Sequence, residues 1–120
     1  MSRTHAWARG LLESDDAFRY VAVHDGVEVV TVVQEGSADQ SSVETDRYEE
    51  LLVNPTVLTI LERRGDIDCG GLEFVVIRYG HFFQVIRRLT PVGHVSVAVD
   101  PDGDPLRASE RIREAIGDLG

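Results

Sequence analysis

Apolar and β-branched residues crowd into three bursts in GGLEFVVIRYGHFFQVIRRLTPVGHVSVAVD, residues 70–100, separated only by Tyr79-Gly80-His81 and Pro91-Val92-Gly93. Bursts of that length, bounded by turn residues, predict three strands. Upstream, FRYVAVHDGVEVVTVV, residues 18–33, holds two more β-branched runs joined at Asp25-Gly26. That dipeptide suits a two-residue type I′ turn and predicts a hairpin. Helical spacing marks three other segments. Residues 4–13 predict a short helix with Ala6, Trp7, Gly10 and Leu11 on one side and Arg3, Arg9 and Glu13 outside. In RYEELLVNPTVLTILERRGD, Tyr48, Leu51 and Leu52 open an apolar stripe that Val57, Leu58 and Leu61 continue. This middle helix is expected to break or kink at Asn54-Pro55, with Asn54 as N-cap, and to stop at Gly65. A last helix follows Asp104 as N-cap and Pro105 at its first position, burying Leu106, Ser109, Ile112, Ile116 and Leu119. The polar, turn-rich connection 34–46 predicts a mobile loop.

If Gly80 and His81 form a two-residue loop, Tyr79 faces Phe82, Ile77 faces Gln84, Val75 faces Ile86 and Glu73 faces Arg88. The register sets an aromatic against an aromatic and an acid against a base, both favourable cross-strand pairs. Leu72, Phe74, Val76, Phe83 and Val85 then share one face, and Val75, Ile77 and Ile86 share the other. A sheet apolar on both faces needs a layer on each. The first and last helices can cover one side and the middle helix the other. The prediction is a three-layer α/β/α sandwich in the order α-β-β-α-β-β-β-α.

At 120 residues the chain fits one domain, 1–120. Its 21 acidic against 12 basic residues leave a net charge of -9. That surface repels phosphate backbones and anionic membranes, which argues against nucleic acid or membrane as partner. All the basic residues are Arg and none is Lys. Codon bias of a high-GC genome and a salt-loving host both produce that pattern. One cysteine, Cys69, excludes an intramolecular disulfide and suits a reducing cytoplasm. No apolar run has the length of a membrane span or the character of a signal peptide.

Chemistry-bearing motifs are sparse. Arg64-Gly65-Asp66 reads as a helix end rather than an adhesion tripeptide. DPDGDP, residues 100–105, has its glycine fourth and Arg at position 111, so it lacks the pattern of a calcium loop. His5, His24, His81, His94 and Cys69 show no ligand spacing, so no metal is expected. His24 and His81 fall at hairpin ends. Cys69 has no local activator and reads as a buried structural thiol. No phosphate-cradling or nucleophile motif occurs, so neither a cofactor nor catalytic residues are expected.

The hairpin YVAVHDGVEVV, the Gly-rich entry DIDCGGLEFVVIRYGHFFQVIRRL and the run GHVSVAVD before the last helix together resemble the roadblock family of the profilin-like folds. Residues 34–46 and Pro55 depart from that pattern. The resemblance implies a five-stranded mixed sheet in spatial order 2-1-5-4-3. It also implies a non-enzymatic homodimer that serves as scaffold or regulator, with small Ras-like GTPases among the partners. Strand 72–79 would then be an apolar edge without Lys, Pro or a bulge to guard it. Pairing with a second copy through this strand and helix 47–64 removes the hazard, and places Tyr48, Leu51, Leu52, Val57, Leu61, Phe74, Val76 and Arg78 at the interface. The alternative is a small-molecule-sensing domain of profilin or PAS-like shape, which an oversized cavity beside Phe74, Phe83 or Trp7 would favour.

The charge makes one prediction of its own. Salt of about 1 M, with a Debye length of ~3 Å, should relieve self-repulsion and raise the melting temperature above its low-salt value. A flat or falling melting temperature across that range would favour codon bias.

Overall fold

A computed structural model describes residues 3–34 and 47–119. Helix α1 (Arg3–Glu13) leads into strands β1 (Phe18–His24) and β2 (Val29–Val33). Helix α2 comprises a π-helical stretch, Glu49–Val53, that runs directly into an α-helix, Asn54–Asp68. Strands β3 (Val75–Arg78), β4 (Phe83–Thr90) and β5 (Gly93–Val99) follow, and helix α3 (Pro105–Gly117) completes the fold. No helix among the described residues is long and apolar enough to cross a membrane. All but one of the residues of the polar connection 34–46, expected to be mobile, lie outside the described residues.

The strand order is β2-β1-β5-β4-β3, as expected, but every neighbouring pair is antiparallel. The expected mixed sheet is therefore corrected to an antiparallel one. Parallel neighbours arise when a crossover returns the chain beside the strand it left. Here α2 carries the chain from β2 at one edge to β3 at the other, so the strands it joins never meet.

The two faces of the sheet differ in chemistry. On one, Val32, Val21, Val97, Val85 and Val76 stand side by side across all five strands. Ala8, Leu11 and Leu12 of α1 and Ala108 and Ile112 of α3 close over this valine layer in a dry core. Burial of each valine, leucine or isoleucine side chain here is worth roughly 1.5–3 kcal/mol, which makes this face the main source of stability. The Trp7 indole N–H donates to the Ala115 carbonyl at 3.1 Å and ties the two helices together. On the other face the corresponding row reads Val33, Tyr20, Ala98, Gln84, Ile77. Tyr20, Ala22 and Ala98 form a small buried cluster there, with Val29, Val33 and Phe82 packed against it.

Several local expectations need correction. In α1 the inward side is Ala8, Leu11 and Leu12 with Trp7 half-buried, while Ala6 and Gly10 face outward. In α3, Leu106 and Leu119 are exposed and Ala108 takes the buried place. The Asp104 cap is as expected, with its carboxylate accepting from the N–H groups of Leu106 and Arg107. Strand β3 starts at Val75, so Glu73 never faces Arg88. Arg88 instead makes a two-pronged bond to Glu62 of α2, at 2.9 and 3.0 Å. The rest of that hairpin has the expected register, Val75 on Ile86 and Ile77 on Gln84, and Tyr79 packs on Phe82.

Helix α2 does not break at Asn54. Asn54 is helical, and its backbone N–H bonds to the Glu49 carbonyl five residues back. Pro55 cannot donate to the preceding turn and its ring crowds it. A π turn widens that turn by one residue and makes room. Nor does the helix stop at Gly65, which is buried against the backbone of Gly71 and Leu72. A Cβ there would lie 3.0 Å from the Leu72 nitrogen, so glycine serves close approach. The stop comes at Gly70 and Gly71, both in the left-handed region. Cys69, expected to be buried, is exposed beyond the helix end.

The first hairpin turns where expected, but not as a type I′ turn. Strand pairing ends at His24 and Val29, and Gly26 alone has positive φ, at 107°. A type I′ turn needs both central residues there. Asp25 substitutes for the missing geometry, its carboxylate accepting from the N–H groups of Val27 and Glu28 at 2.8 Å. These bonds hold the Asp25 carboxyl below its usual pKa range. Gly26→Val should destabilise the fold by about 1–2 kcal/mol, because a β-branched residue is strained at positive φ. Its new side chain would also meet Val92. A melting temperature equal to that of the unmutated chain would contradict this account of the turn.

Candidate functional site

Helix α2 lies over the mixed polar and apolar face of the sheet, and its two sides do different things. Its inner side carries Glu50, Asn54 and Leu58, all buried. Glu50 is the unexpected member, a carboxylate only 1% exposed. Four groups surround it within 3 Å. The His94 Nε2 lies 2.8 Å from Oε1, and Asn54 Nδ2 donates to the same oxygen at 2.9 Å. Tyr20 donates its hydroxyl to Oε2 at 2.9 Å, and Ser96 Oγ lies 2.7 and 2.8 Å from the two oxygens. Gln84 Nε2 donates to the Tyr20 hydroxyl at 3.0 Å and so orients it. Gln84 Nε2 also lies 3.4 Å from Oε2, so three strands and α2 itself direct polar groups at one buried carboxyl group.

A second ring extends the cluster. His24 stacks on His94 with ring centroids 5.4 Å apart, and its Nδ1 accepts from the Gly26 N–H at 2.9 Å. Neither Nδ1 of His94 nor Oδ1 of Asn54 has a partner among the described residues. One residue before Glu50, Glu49 accepts from the Tyr79 hydroxyl at 2.9 Å and anchors the helix to the end of β3. Burial and this neighbouring acid push the Tyr79 hydroxyl up to about 12.

The cluster is closed to solvent, and nothing in it pairs a nucleophile with a base, since Ser96 and His94 both address Glu50 rather than each other. Among the described residues no group of three or more His, Cys, Asp and Glu is placed to hold a metal ion. The cleft beside Trp7 and Leu119 has a volume of about 130 Å³. Pockets for drug-sized ligands run from roughly 300 Å³ upward, so this cleft is smaller than that range.

The outer side of α2 is where the expected interface residues lie, and the structure distributes them unevenly. Tyr48 and Leu52 are 61% and 56% exposed, with Leu61 exposed further along. Ile60 and Ile67, not foreseen, are exposed to 61% and 76%. Val57 is half-buried. Leu51 borders a groove whose other wall is Val29 and Thr31 of β2, the far edge of the sheet. On the β3 side, Val76 and Arg78 belong to the face that α1 and α3 cover, with Arg78 stacked over Phe83 at 5.0 Å. Phe74 is half-buried under the Arg87 guanidinium, 5.1 Å from its ring centre. No described strand pairs with the outer edge of β3. Among the described residues no layer covers that edge, and none covers the exposed apolar residues of α2.

No protein-family model matches the chain, and no curated protein matches it in sequence. Solved structures do. The MglB of Myxococcus xanthus is similar over 99% of this chain and 93% of its own, with a TM-score of 0.72 at 13% identity. A Roadblock/LC7 domain from Streptomyces avermitilis gives 0.69 at 13% identity, covering 98% of this chain and 95% of that one. MglC of Myxococcus xanthus gives 0.59 at 16% identity over 95% and 93%. At such identities the likeness is one of fold, and the fold of this chain is that of the roadblock domains.

Proposed function

We propose that the chain is a non-enzymatic, homodimeric scaffold or regulatory module. Two copies pair through the β3 edge and the outer side of α2, and the dimer binds a protein partner. The observation that carries this reading is that an open sheet edge and an apolar helix surface both stand uncovered among the described residues. The β3 edge leaves its outward N–H and C=O groups without a described ladder partner, and Tyr48, Leu52, Ile60, Leu61 and Ile67 stand exposed on α2. Exposed edges are hazards that natural monomers blunt with Lys, Pro or a bulge, and Val75–Arg78 has none of these. A two-fold axis lets each copy supply the missing ladder to the other. The roadblock fold and the similarity to MglB and MglC support this role, and the family resemblance makes a small Ras-like GTPase the partner to test first.

The expected dimer buries roughly 1,500 Å² or more in total. Sedimentation of the unmutated chain at micromolar concentration should give a dimer. Val76→Pro should give monomer or aggregate, because proline removes a ladder donor. Ile60→Asp, at a side chain that faces away from the sheet, should give a folded monomer with an unchanged circular dichroism spectrum. A well-behaved monomer of the unmutated chain would overturn the reading.

A further inference from the structure

The sheet ends at β2 as it does at β3, on a strand that only one neighbour pairs. Strand β2 reads VVTVV and bonds to β1 alone among the described strands. Its register on β1 runs without a bulge, and the run holds no Lys or Pro. The direction of each backbone group follows from the two ends of the ladder. The Asp25 N–H donates to the Glu28 carbonyl, and the Gln34 N–H donates to the Arg19 carbonyl. Bonded pairs alternate along an antiparallel ladder, so Val30 and Val32 turn their backbone groups to β1. Val29, Thr31 and Val33 turn theirs outward, and no described backbone group meets them. The side chains of the same three residues share the α2 face, because direction along a strand has period two.

Between this edge and the start of α2 lies a groove of about 530 Å³, lined by Val27, Glu28, Val29, Thr31, Arg47 and Leu51. Arg47 is exposed on the α2 wall and takes part in none of the described ion pairs. We propose that the β2 edge docks an extended segment of a protein partner, which adds a strand beside β2. It sets an apolar side chain between Val29 and Leu51 and a carboxylate against Arg47. This docking rests on the scaffold reading above and gives it a partner surface. In a dimer joined at β3 both β2 edges stay free, one at each end of the joined sheet. In strand addition the backbone bonds supply affinity, and pockets for alternate side chains supply specificity. A bound helix would leave Val29, Thr31 and Val33 unpaired, since its own N–H and C=O groups bond within it. A second copy is the poorer occupant. Its β2, paired across a two-fold axis normal to the sheet, would bring Val29, Thr31 and Val33 to this face and no acid for Arg47.

The probe is a capped synthetic heptapeptide, Ser-Val-Thr-Val-Thr-Glu-Ser, whose valines and glutamate share one face. A control peptide carries lysine in place of the glutamate. Magnetic resonance titration should shift the amides of residues 29–33 and 47–51 and leave β3 unmoved. Amide exchange of Val29, Thr31 and Val33 should be fast in the free chain and slow with peptide, while Val30 and Val32 stay slow in both. Thr31→Pro removes an outward N–H and no bond to β1, so it should fold and bind about tenfold more weakly. Arg47→Glu should weaken binding of the glutamate peptide by about fivefold and favour the lysine peptide instead. Slow outward amides in the free chain would show the edge already covered and overturn the inference. Absence of binding, or binding unchanged in Thr31→Pro, would do the same. So would an Ile60→Asp chain that still dimerises until Thr31→Pro is added, because the occupant would then be a second copy. The dimer fails separately. An unmutated monomer that binds the peptide loses the pairing at β3 and keeps the β2 site, and a dimer that ignores the peptide does the reverse.

Discussion

A carboxylate under a helix is unfavourable by several kcal/mol unless donors close around it, and the placement of Glu50 is the constraint on which the upper half of this fold depends. The requirement reaches into every neighbouring strand. Tyr20 on β1, Gln84 on β4 and His94 and Ser96 on β5 occupy positions where a simple sandwich would place valine or isoleucine. An apolar face would hold α2 more strongly but would accept it in several registers, since apolar contact has no direction. Four hydrogen bonds to one carboxylate have direction, and they specify a single seat for the helix. The valine face supplies stability, and the polar face supplies position.

The π turn follows from the same constraint. Pro55 falls where the helix must be continuous, because Glu50 on its N-terminal side and Leu58 on its C-terminal side are both buried against the sheet. A proline at that place in a regular helix would kink it and lift one of them away. The extra residue in the turn absorbs the ring, and Asn54 reaches the Glu49 carbonyl while its side chain reaches Glu50. The Leu52 carbonyl, near the missing N–H, is taken by the Thr56 hydroxyl at 2.6 Å.

Much of this architecture is legible in the sequence, and the parts that are not fail for identifiable reasons. Strand bursts and turn residues announce the two hairpins, and Asp104-Pro105 announces the last helix, because those signals are local. Pairing of β1 with β5 is not local, and the strand order came from resemblance. Asn54-Pro55 reads as a helix start by every capping rule, and only the burial of Glu50 one turn earlier reverses that. Gly65 reads as a stop for the same reason, while its use is close contact with Leu72. The polar cluster did leave a trace. His94 and Ser96 alternate in GHVSVAV, and Gln84 interrupts FFQVI, so polar side chains recur with period two on strands that must be covered on both faces. Such a pattern calls for a buried partner, and a helix lying across the same face is where to seek it.

The two sides of α2 then explain each other. Its inner side holds Glu50 and Asn54 with Leu58 as its large apolar residue, so most of the apolar residues this helix carries are left to its outer side and flanks. In an isolated domain that inversion would be a liability, since Ile60 and Ile67 gain nothing from water. Glu50 makes the inversion tolerable within one chain by fixing the helix with directed bonds, to which the burial of Leu58 adds. It also makes the exposed side a surface of defined shape, because a helix held by directed bonds presents the same residues each time. The shape of that apolar surface is therefore set by the buried acid on the opposite side of the helix.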